Sequence, residues 1–213
     1  PEYPFLGLIV SGGHSNLVLA QGPRKFTILG YTLDDAPGEL FDKIARHLQL
    51  GYPGGPIIQK TGETGDLDKY QLPRPMSNRG YLFSFSGLKT AVIRIVEKEG
   101  KNLDLPSLCA SLQKAVSDTF TGKVNKALKE TSARRLVLAG GVAANKPLRE
   151  AMANLANKHN SEFLVPGLHL CTDNAAMIAA HGFLVANEDE SLPKSPLMVN
   201  ATANWEMGGE YYF

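Results

Sequence analysis

The chain has 213 residues, of which 43% are hydrophobic and 20% are charged, and its formal net charge is +1. This composition is typical of a folded globular protein with one sizeable core and excludes an intrinsically disordered chain. Because the charge is nearly balanced, it also excludes a global basic field for nucleic acid, so any RNA contact must come from a local patch.

Strands are predicted first along the chain. An apolar run over 5–10 ends in a glycine pair, and further strands are predicted over 16–20 and 25–31. The connections between them are short, which indicates a meander. A helix follows, because apolar residues recur at helical spacing on one side of it: Leu40, Phe41, Ile44, Ala45 and Leu48.

Helices dominate the middle of the chain. A short helix is predicted from about residue 57, a long loop over 65–82, and two helices over 88–97 and 104–130. Strand and helix then alternate over 136–139, 145–159, 163–165 and 173–185. This order predicts an α/β fold, with residues 1–187 as one lobe, inserted helices at about 52–130, and a tail over 188–213.

Neither cysteine belongs to a CxxC pair, and the sequence contains no signal peptide or membrane-spanning apolar run. These observations favour a reducing, cytoplasmic location without a membrane, with the mitochondrion as the alternative. The first residue, Pro1, is not an initiator methionine and is followed almost at once by a buried-type strand. We therefore expect a fragment of a longer protein.

Two glycine pairs are candidate phosphate sites. The segment Ile9-Val10-Ser11-Gly12-Gly13 could cradle a phosphate with backbone amides and the serine hydroxyl, or be an ordinary hairpin turn. Gly140 and Gly141 end a strand and lead into a helix, a geometry that directs amides at a ligand. Asn145 either caps that helix, the more frequent role, or contacts a nucleotide.

Two aspartates have competing interpretations. Asp42 either pairs with Arg46 four residues later, which the sequence favours, or accepts hydrogen bonds from ribose hydroxyls. Asp173 either caps the alanine-rich helix or binds a metal. The five histidines show no metal-ligand spacing, so the chain alone does not specify a metal site. Scattered basic residues could contact RNA phosphates but more often form a solvated surface: Arg74, Arg79, Lys89, Lys146 and Arg149.

Six short motifs occur in series along the chain. They are Ser11-Gly-Gly-His-Ser15, Ala36-Pro-Gly-Glu-Leu-Phe-Asp-Lys43, Tyr52-Pro-Gly-Gly-Pro56, Phe83-Ser-Phe-Ser-Gly-Leu-Lys-Thr90, Ala139-Gly-Gly-Val-Ala-Ala-Asn145 and Cys171-Thr-Asp-Asn174. In this order they resemble the universal tRNA threonylcarbamoyladenosine (t6A) transferase family, formerly called the glycoprotease or O-sialoglycoprotein endopeptidase family. The resemblance extends from residue 5 to about residue 195.

The resemblance implies an actin-like ATPase (ribonuclease H-like) lobe, with a mixed sheet and helices on both faces. It implies transfer of threonylcarbamoyl from threonylcarbamoyl-AMP to the adenosine 3′ of the tRNA anticodon. By position, the nucleotide or adenylate would contact Ile9, Val10, Ser11, Gly12, Gly13, Asp42, Gly55, Gln59, Gly140, Gly141 and Asn145. Gln59 departs from the family pattern, which is often acidic there.

The same resemblance implies a divalent metal, iron or zinc, for which Asp173 is one ligand, and an ATP- or AMP-type nucleotide. The family's phosphate loop and HxxxH metal motif precede the first residue, so we expect the fragment alone to be inactive. The implied partners are tRNA, accessory t6A-pathway proteins and a homo- or heterodimer mate. The alternatives are a metalloprotease, as the former family name claims, and a non-catalytic nucleotide-binding paralogue that serves as a dimer scaffold.

Overall fold

The computed structural model describes residues 2–131 and 133–188, and a five-stranded sheet lies at its centre. The strands are β1 (Phe5–Val10), β2 (Ser15–Ala20), β3 (Phe26–Tyr31), β4 (Arg135–Ala139) and β5 (Glu162–Leu164). The helices are α1 (Pro37–His47), α2 (Gly54–Gly62), α3 (Ser86–Glu99), α4 (Leu105–Thr131), α5 (Lys146–Lys158) and α6 (Ala175–Glu188). Single turns of 3₁₀ helix cover Gly100–Asn102, Gly141–Ala144 and Leu168–Leu170.

The sheet is mixed, with strand order β3-β2-β1-β4-β5. The first three strands are antiparallel neighbours joined by short turns, which confirms the predicted meander. β4 and β5 run parallel to β1, and each reaches its place after a helical connection, as parallel pairing requires. The predicted α/β class with a mixed sheet is therefore confirmed. As a result, β1 and β4 end side by side at the same edge of the sheet.

One face of the sheet forms the core. Leu6 and Leu8 of β1 lie beside Leu136 and Leu138 of β4, and all four side chains are completely buried. The apolar sides of α1, α4 and α5 join the same core. The long helix α4 is buried along most of its length because it packs against α2, α5 and β1. The opposite face is also apolar and, around Phe5, Ile9 and Val137, lines a shallow cavity of about 270 Å³.

The long loop before α3 is anchored to the end of β3, the outermost strand of the sheet. Phe83 forms a bridge with Thr32, and its amide donates to the carbonyl of Tyr31. The Asp34 carboxylate accepts hydrogen bonds from the amides of Phe85 and Ser86 and from the hydroxyls of Ser84 and Ser86: four bonds of 2.6–3.2 Å. These bonds fix the start of α3 relative to the end of β3.

A buried lysine organises the tip of this loop. Lys123, on α4, is only 3% exposed. Its ammonium donates to the backbone carbonyls of Met76, Ser77, Arg79 and Gly80, the last at 2.9 Å. An ammonium has three protons, so the four carbonyls share them. The Lys123 side chain thus supplies hydrogen bonds to loop carbonyls that no helix or strand satisfies.

The sequence predicted the order and type of these elements, and the differences lie at their ends. α2 begins at Gly54 rather than near residue 57, and α6 begins at Ala175 rather than at Asp173. The predicted tail over 188–213 lies, except for its first residue, outside the described residues. Among the helices of the described part, none is both long and apolar enough to cross a membrane.

Candidate nucleotide-binding site

The first glycine loop is held between β1 and the start of α1. The Ser11 hydroxyl accepts a hydrogen bond from the His14 amide at 3.1 Å, and the Ser11 amide donates to the His14 carbonyl at 2.9 Å. The carbonyls of Ser11 and Gly12 accept hydrogen bonds from the amides of Gly38 and Glu39. A Cβ on Gly38 would lie 2.8 Å from the Gly12 Cα, so only glycine permits this approach. The loop is therefore shaped, while Gly12 and Gly13 stay exposed.

The second glycine pair packs directly on the end of β1. Gly140 has φ 91° and ψ 170°, a conformation essentially confined to glycine. A Cβ there would lie 2.3 Å from the Val10 carbonyl oxygen. A Cβ on Gly141, by contrast, would meet no atom within 4 Å. The first glycine thus closes the junction between β1 and β4, and the second borders open space.

Asn145 caps α5, which is the more frequent of the two roles that the sequence offered for it. Its Oδ1 accepts from the Leu148 amide at 3.1 Å, and its Nδ2 donates to the side-chain oxygens of Gln59 at 3.2 Å and Gln113 at 3.1 Å. The Gln59 oxygen also accepts from the Lys146 amide at 2.8 Å. Both amide protons of Asn145 are therefore used within the protein, and only the second lone pair of Oδ1 is left for a ligand.

Asp42 joins α1 to α2. Its Oδ1 accepts from the Gly54 amide at 2.7 Å, at the first turn of α2. In the described part of the chain Asp42 forms no ion pair with Arg46, so the interpretation that the sequence favoured is wrong. The carboxylate is engaged between two helices, by the Gly54 amide, and not within α1. Asp42 and Arg46 instead line an open cavity of about 310 Å³ with Gln49, Gly51 and Tyr52.

Together these contacts form a continuous ring at one edge of the sheet. The Ser11–Gly13 loop contacts the start of α1, Asp42 of α1 holds the start of α2, and Gln59 of α2 binds Asn145. Asn145 follows the turn that begins with Gly140, which returns the ring to Val10. Gly55 lies on the first turn of α2, where an added Cβ would only touch the Phe41 ring at 4.0 Å. The fold thus brings the nucleotide residues predicted from the resemblance to one place.

Asp173 lies on the loop after β5 and is exposed. It is not the helix cap: the Asn174 oxygen accepts from the Met177 amide at 3.0 Å, so Asn174 caps α6. The Asp173 carboxylate has no hydrogen-bond or ion-pair partner among residues 2–131 and 133–188. Those residues also contain no group of three or more histidine, cysteine, aspartate or glutamate side chains that could hold a metal ion. The donor set present therefore does not fit a complete metal centre.

Most of the scattered basic residues have internal partners. Lys89 and Lys43 both pair with Asp35 at 2.7 Å, and Arg74 pairs with Asp118. Burial raises the pKa of Asp35, but the hydrogen bonds from both lysines outweigh it and leave that pKa below its usual value. Lys146 and Arg79 remain exposed.

Two residues of the site escaped the sequence analysis or were misread there. The side-chain oxygen of Gln113, on α4, accepts a hydrogen bond from Asn145. The helical pattern of α4 does not indicate this contact. Arg149 appeared only as a scattered surface charge. In the structure its guanidinium donates to the Ala143 and Pro166 carbonyls, which join the turn after β4 to the loop after β5.

Solved structures share this fold. Full-length HypF in its phosphate- and nucleotide-bound form aligns with a TM-score of 0.68 at 12% identity, over 88% of this chain and 33% of that chain. The activator of 2-hydroxyisocaproyl-CoA dehydratase from Clostridium difficile, with bound ADPNP, aligns with a TM-score of 0.50 at 15% identity, over 92% and 66%. Such identities show the fold alone. The predicted α/β lobe with a mixed sheet is the fold that these structures share with this chain.

Sequence comparison gives the family. The model of tRNA N6-adenosine threonylcarbamoyltransferase (TsaD) matches residues 1–180. The protein of that name from Herminiimonas arsenicoxydans is 44% identical over 211 residues, which are 97% of this chain and 62% of that protein. The one from Thermosipho africanus is 50% identical over 182 residues, 84% of this chain and 55% of that protein. The chain thus spans a little over half the length of these relatives, and it belongs to the tRNA N6-adenosine threonylcarbamoyltransferase family.

Proposed function

We propose that this chain is part of an enzyme that transfers a threonylcarbamoyl group from threonylcarbamoyl-AMP to N6 of the adenosine 3′ of the tRNA anticodon. The observation that carries the proposal is the ring of contacts that joins both glycine turns, Asp42 and Asn145 at one edge of the sheet. In open α/β sheets, ligands bind outside the carboxyl ends of the strands, where β1 and β4 end here. The relatives' names supply the substrate class.

In this proposal the ring holds the nucleotide part of the substrate. The exposed glycines, Gly12 and Gly13, let the backbone approach the phosphate, and Gly141 borders the space above the strand ends. Asp42 binds Gly54 through one oxygen, and its other oxygen faces ribose hydroxyls as an acceptor. Gln59 and Asn145 fix the wall of the site from behind. HypF and the activator, which share this fold, were solved with bound nucleotides, and this supports nucleotide binding in the proposal.

The transfer itself is an acyl exchange between an adenylate and an amine. The N6 amine of adenosine forms a bond to the carbamoyl carbon, the bond from that carbon to the AMP phosphate oxygen breaks, and the amine loses a proton. In this proposal the chain acts by positioning the adenylate and stabilising its phosphate. Among the described residues Asp173 alone does not make a metal site, so no step of the transfer is assigned to a metal.

We propose tRNA and accessory proteins of t6A formation as the partners. The proposed location is where tRNA is modified, in the cytoplasm or a mitochondrion. Lys146 is exposed on the first turn of α5 beside the ring, 3.9 Å from Glu150, and we propose it as a local contact for RNA phosphate.

The test uses the full-length gene product with the accessory proteins of t6A formation, threonylcarbamoyl-AMP and unmodified tRNA. Asp42→Asn preserves an oxygen that can accept from the Gly54 amide but removes the charge and one acceptor. We expect weaker adenylate binding and a loss of t6A formation of about tenfold or more. The matched control is Glu97→Gln, which neutralises an exposed carboxylate on α3 and leaves the activity unchanged. Equal activity of the wild-type protein and Asp42→Asn would refute the site, and no t6A from the wild-type protein would refute the function.

A further inference from the structure

We propose that Arg149 is a positioning residue for the transfer reaction: it holds the Asp173 loop, residues 166–174, against the glycine turn after β4. The inference rests on the proposed function, because it assigns a role within that same site. Neither the motif series nor the comparisons assign any role to this arginine.

Arg149 lies on the first half of α5 and is half-buried. Its Nε donates to the carbonyl of Ala143, in the 3₁₀ turn that follows Gly140. Its terminal nitrogen donates to the Pro166 carbonyl at 3.0 Å and to the Cys171 sulfur at 3.3 Å. One guanidinium therefore joins the loop after β4 to the loop after β5, the two loops that carry the second glycine pair and Asp173.

The loop after β5 has few other polar ties. Within the described part of the chain, its remaining hydrogen bonds are internal, such as those from Leu170 to Gly167 and from Cys171 to Leu168, or join Asn174 to the helix α6 that follows. β5 is only three residues long and pairs with β4 up to Leu164, so strand pairing ends before the loop begins. Among the described residues, the polar contacts that fix this loop to the preceding part of the protein are thus those of Arg149, with the buried Cys171 as the apolar anchor beside them.

The geometry needs a guanidinium. Its donors lie in one plane and point in different directions, so its Nε can serve Ala143 while a terminal nitrogen serves Pro166. An ammonium on a flexible stem is a point charge and does not reproduce this fork. Asp173, two residues beyond Cys171, has no partner of its own in the described residues, so its place depends on how the loop is held.

The experiment compares Arg149→Lys and Arg149→Met in the full-length gene product, with Lys158→Met as the control. Lys158 is exposed on the last turn of the same helix. The first measurement is hydrogen–deuterium exchange of a peptide covering 166–174, relative to a peptide covering 150–158. We expect both Arg149 variants to exchange faster in 166–174 only. The second measurement is steady-state transfer, in which we expect kcat to fall about tenfold to a hundredfold while the KM for threonylcarbamoyl-AMP stays within a factor of about three.

The outcomes test the positioning role of Arg149 separately from the proposed function. Unchanged exchange in 166–174, or changed exchange with normal kcat, would overturn the positioning role. Faster exchange throughout the chain, with kcat and KM both affected, would overturn it too, because that is general destabilisation. If the wild-type protein makes no t6A, the proposed function fails, while the exchange data still decide whether Arg149 holds the loop.

Discussion

Gly140 and Gly141 are adjacent, yet the structure predicts opposite consequences when each is changed to alanine. At Gly140 two costs add. The φ 91°, ψ 170° backbone costs a non-glycine residue about 1–3 kcal/mol, and forcing a Cβ within 2.3 Å of the Val10 carbonyl oxygen adds an overpacking cost of about 1–3 kcal/mol. We therefore expect Gly140→Ala to lower the free energy of unfolding by about 2–6 kcal/mol. That is a large part of a typical domain's stability of about 5–15 kcal/mol.

Gly141→Ala is the matched control. Its backbone lies outside the left-handed region, and its new Cβ would meet nothing within 4 Å. Alanine also restricts the unfolded chain, so we expect no loss and a gain of up to about 0.5–1 kcal/mol. Urea unfolding followed by circular dichroism measures both variants. Equal effects of the two substitutions, or a Gly140→Ala loss below about 1 kcal/mol, would show that β1 and β4 are not closed by this glycine.

The other predictions concern polar groups that hold loops and helix ends. Lys123→Met keeps the aliphatic stem but leaves the carbonyls at residues 76–80 without their donor, so we expect a loss of about 2–3 kcal/mol and faster tryptic cleavage at Arg79. Lys129→Met, at an exposed position on the same helix, should change unfolding by less than about 0.5 kcal/mol, and equal effects would contradict the buried role. Asp34→Asn keeps one oxygen for the amides of Phe85 and Ser86 but replaces the charged acceptor of the two serine hydroxyls by an amide donor; we expect a loss of about 1–2 kcal/mol, with faster exchange at the start of α3. Asp104 accepts from Lys69 and from the Ser107 hydroxyl and amide, which lower its pKa to about 2. A lowered carboxyl pKa stabilises the fold above the unfolded pKa, so this contribution should disappear between about pH 4 and pH 2, and Asp104→Asn should flatten the acid limb of the stability curve.

The sequence predicted the fold well because its signals there are local. Apolar periodicity marks α1, and the glycine pairs mark the ends of β1 and β4. The ends of elements were less accurate because they depend on capping. Asp173 and Asn174 are both good caps by type, and only the structure shows that the Met177 amide binds Asn174.

The site was harder to predict, because its contacts are distant in sequence. The favoured Asp42–Arg46 pair is a contact within one helix, which periodicity can suggest. The observed Asp42–Gly54 bond joins two helices and depends on the turn between them. Arg149 likewise contacts residues both before and after α5, and no spacing rule distinguishes it from a solvated charge.

The hydrogen-bonding capacity that the fold leaves unused separates the candidate ligand residues into two groups. Asn145 and Gln59 use most of theirs on each other and on the start of α5, so their substitution should act first on the shape of the site. Asp42 and Asp173 are different: within the described residues one has an unused carboxylate oxygen and the other has two. Asp42 borders an open cavity and Asp173 is exposed, so both can meet a ligand group. Those oxygens are therefore where ligand groups should be sought: Asp42 within the ring of contacts, and Asp173 on the loop that Arg149 holds.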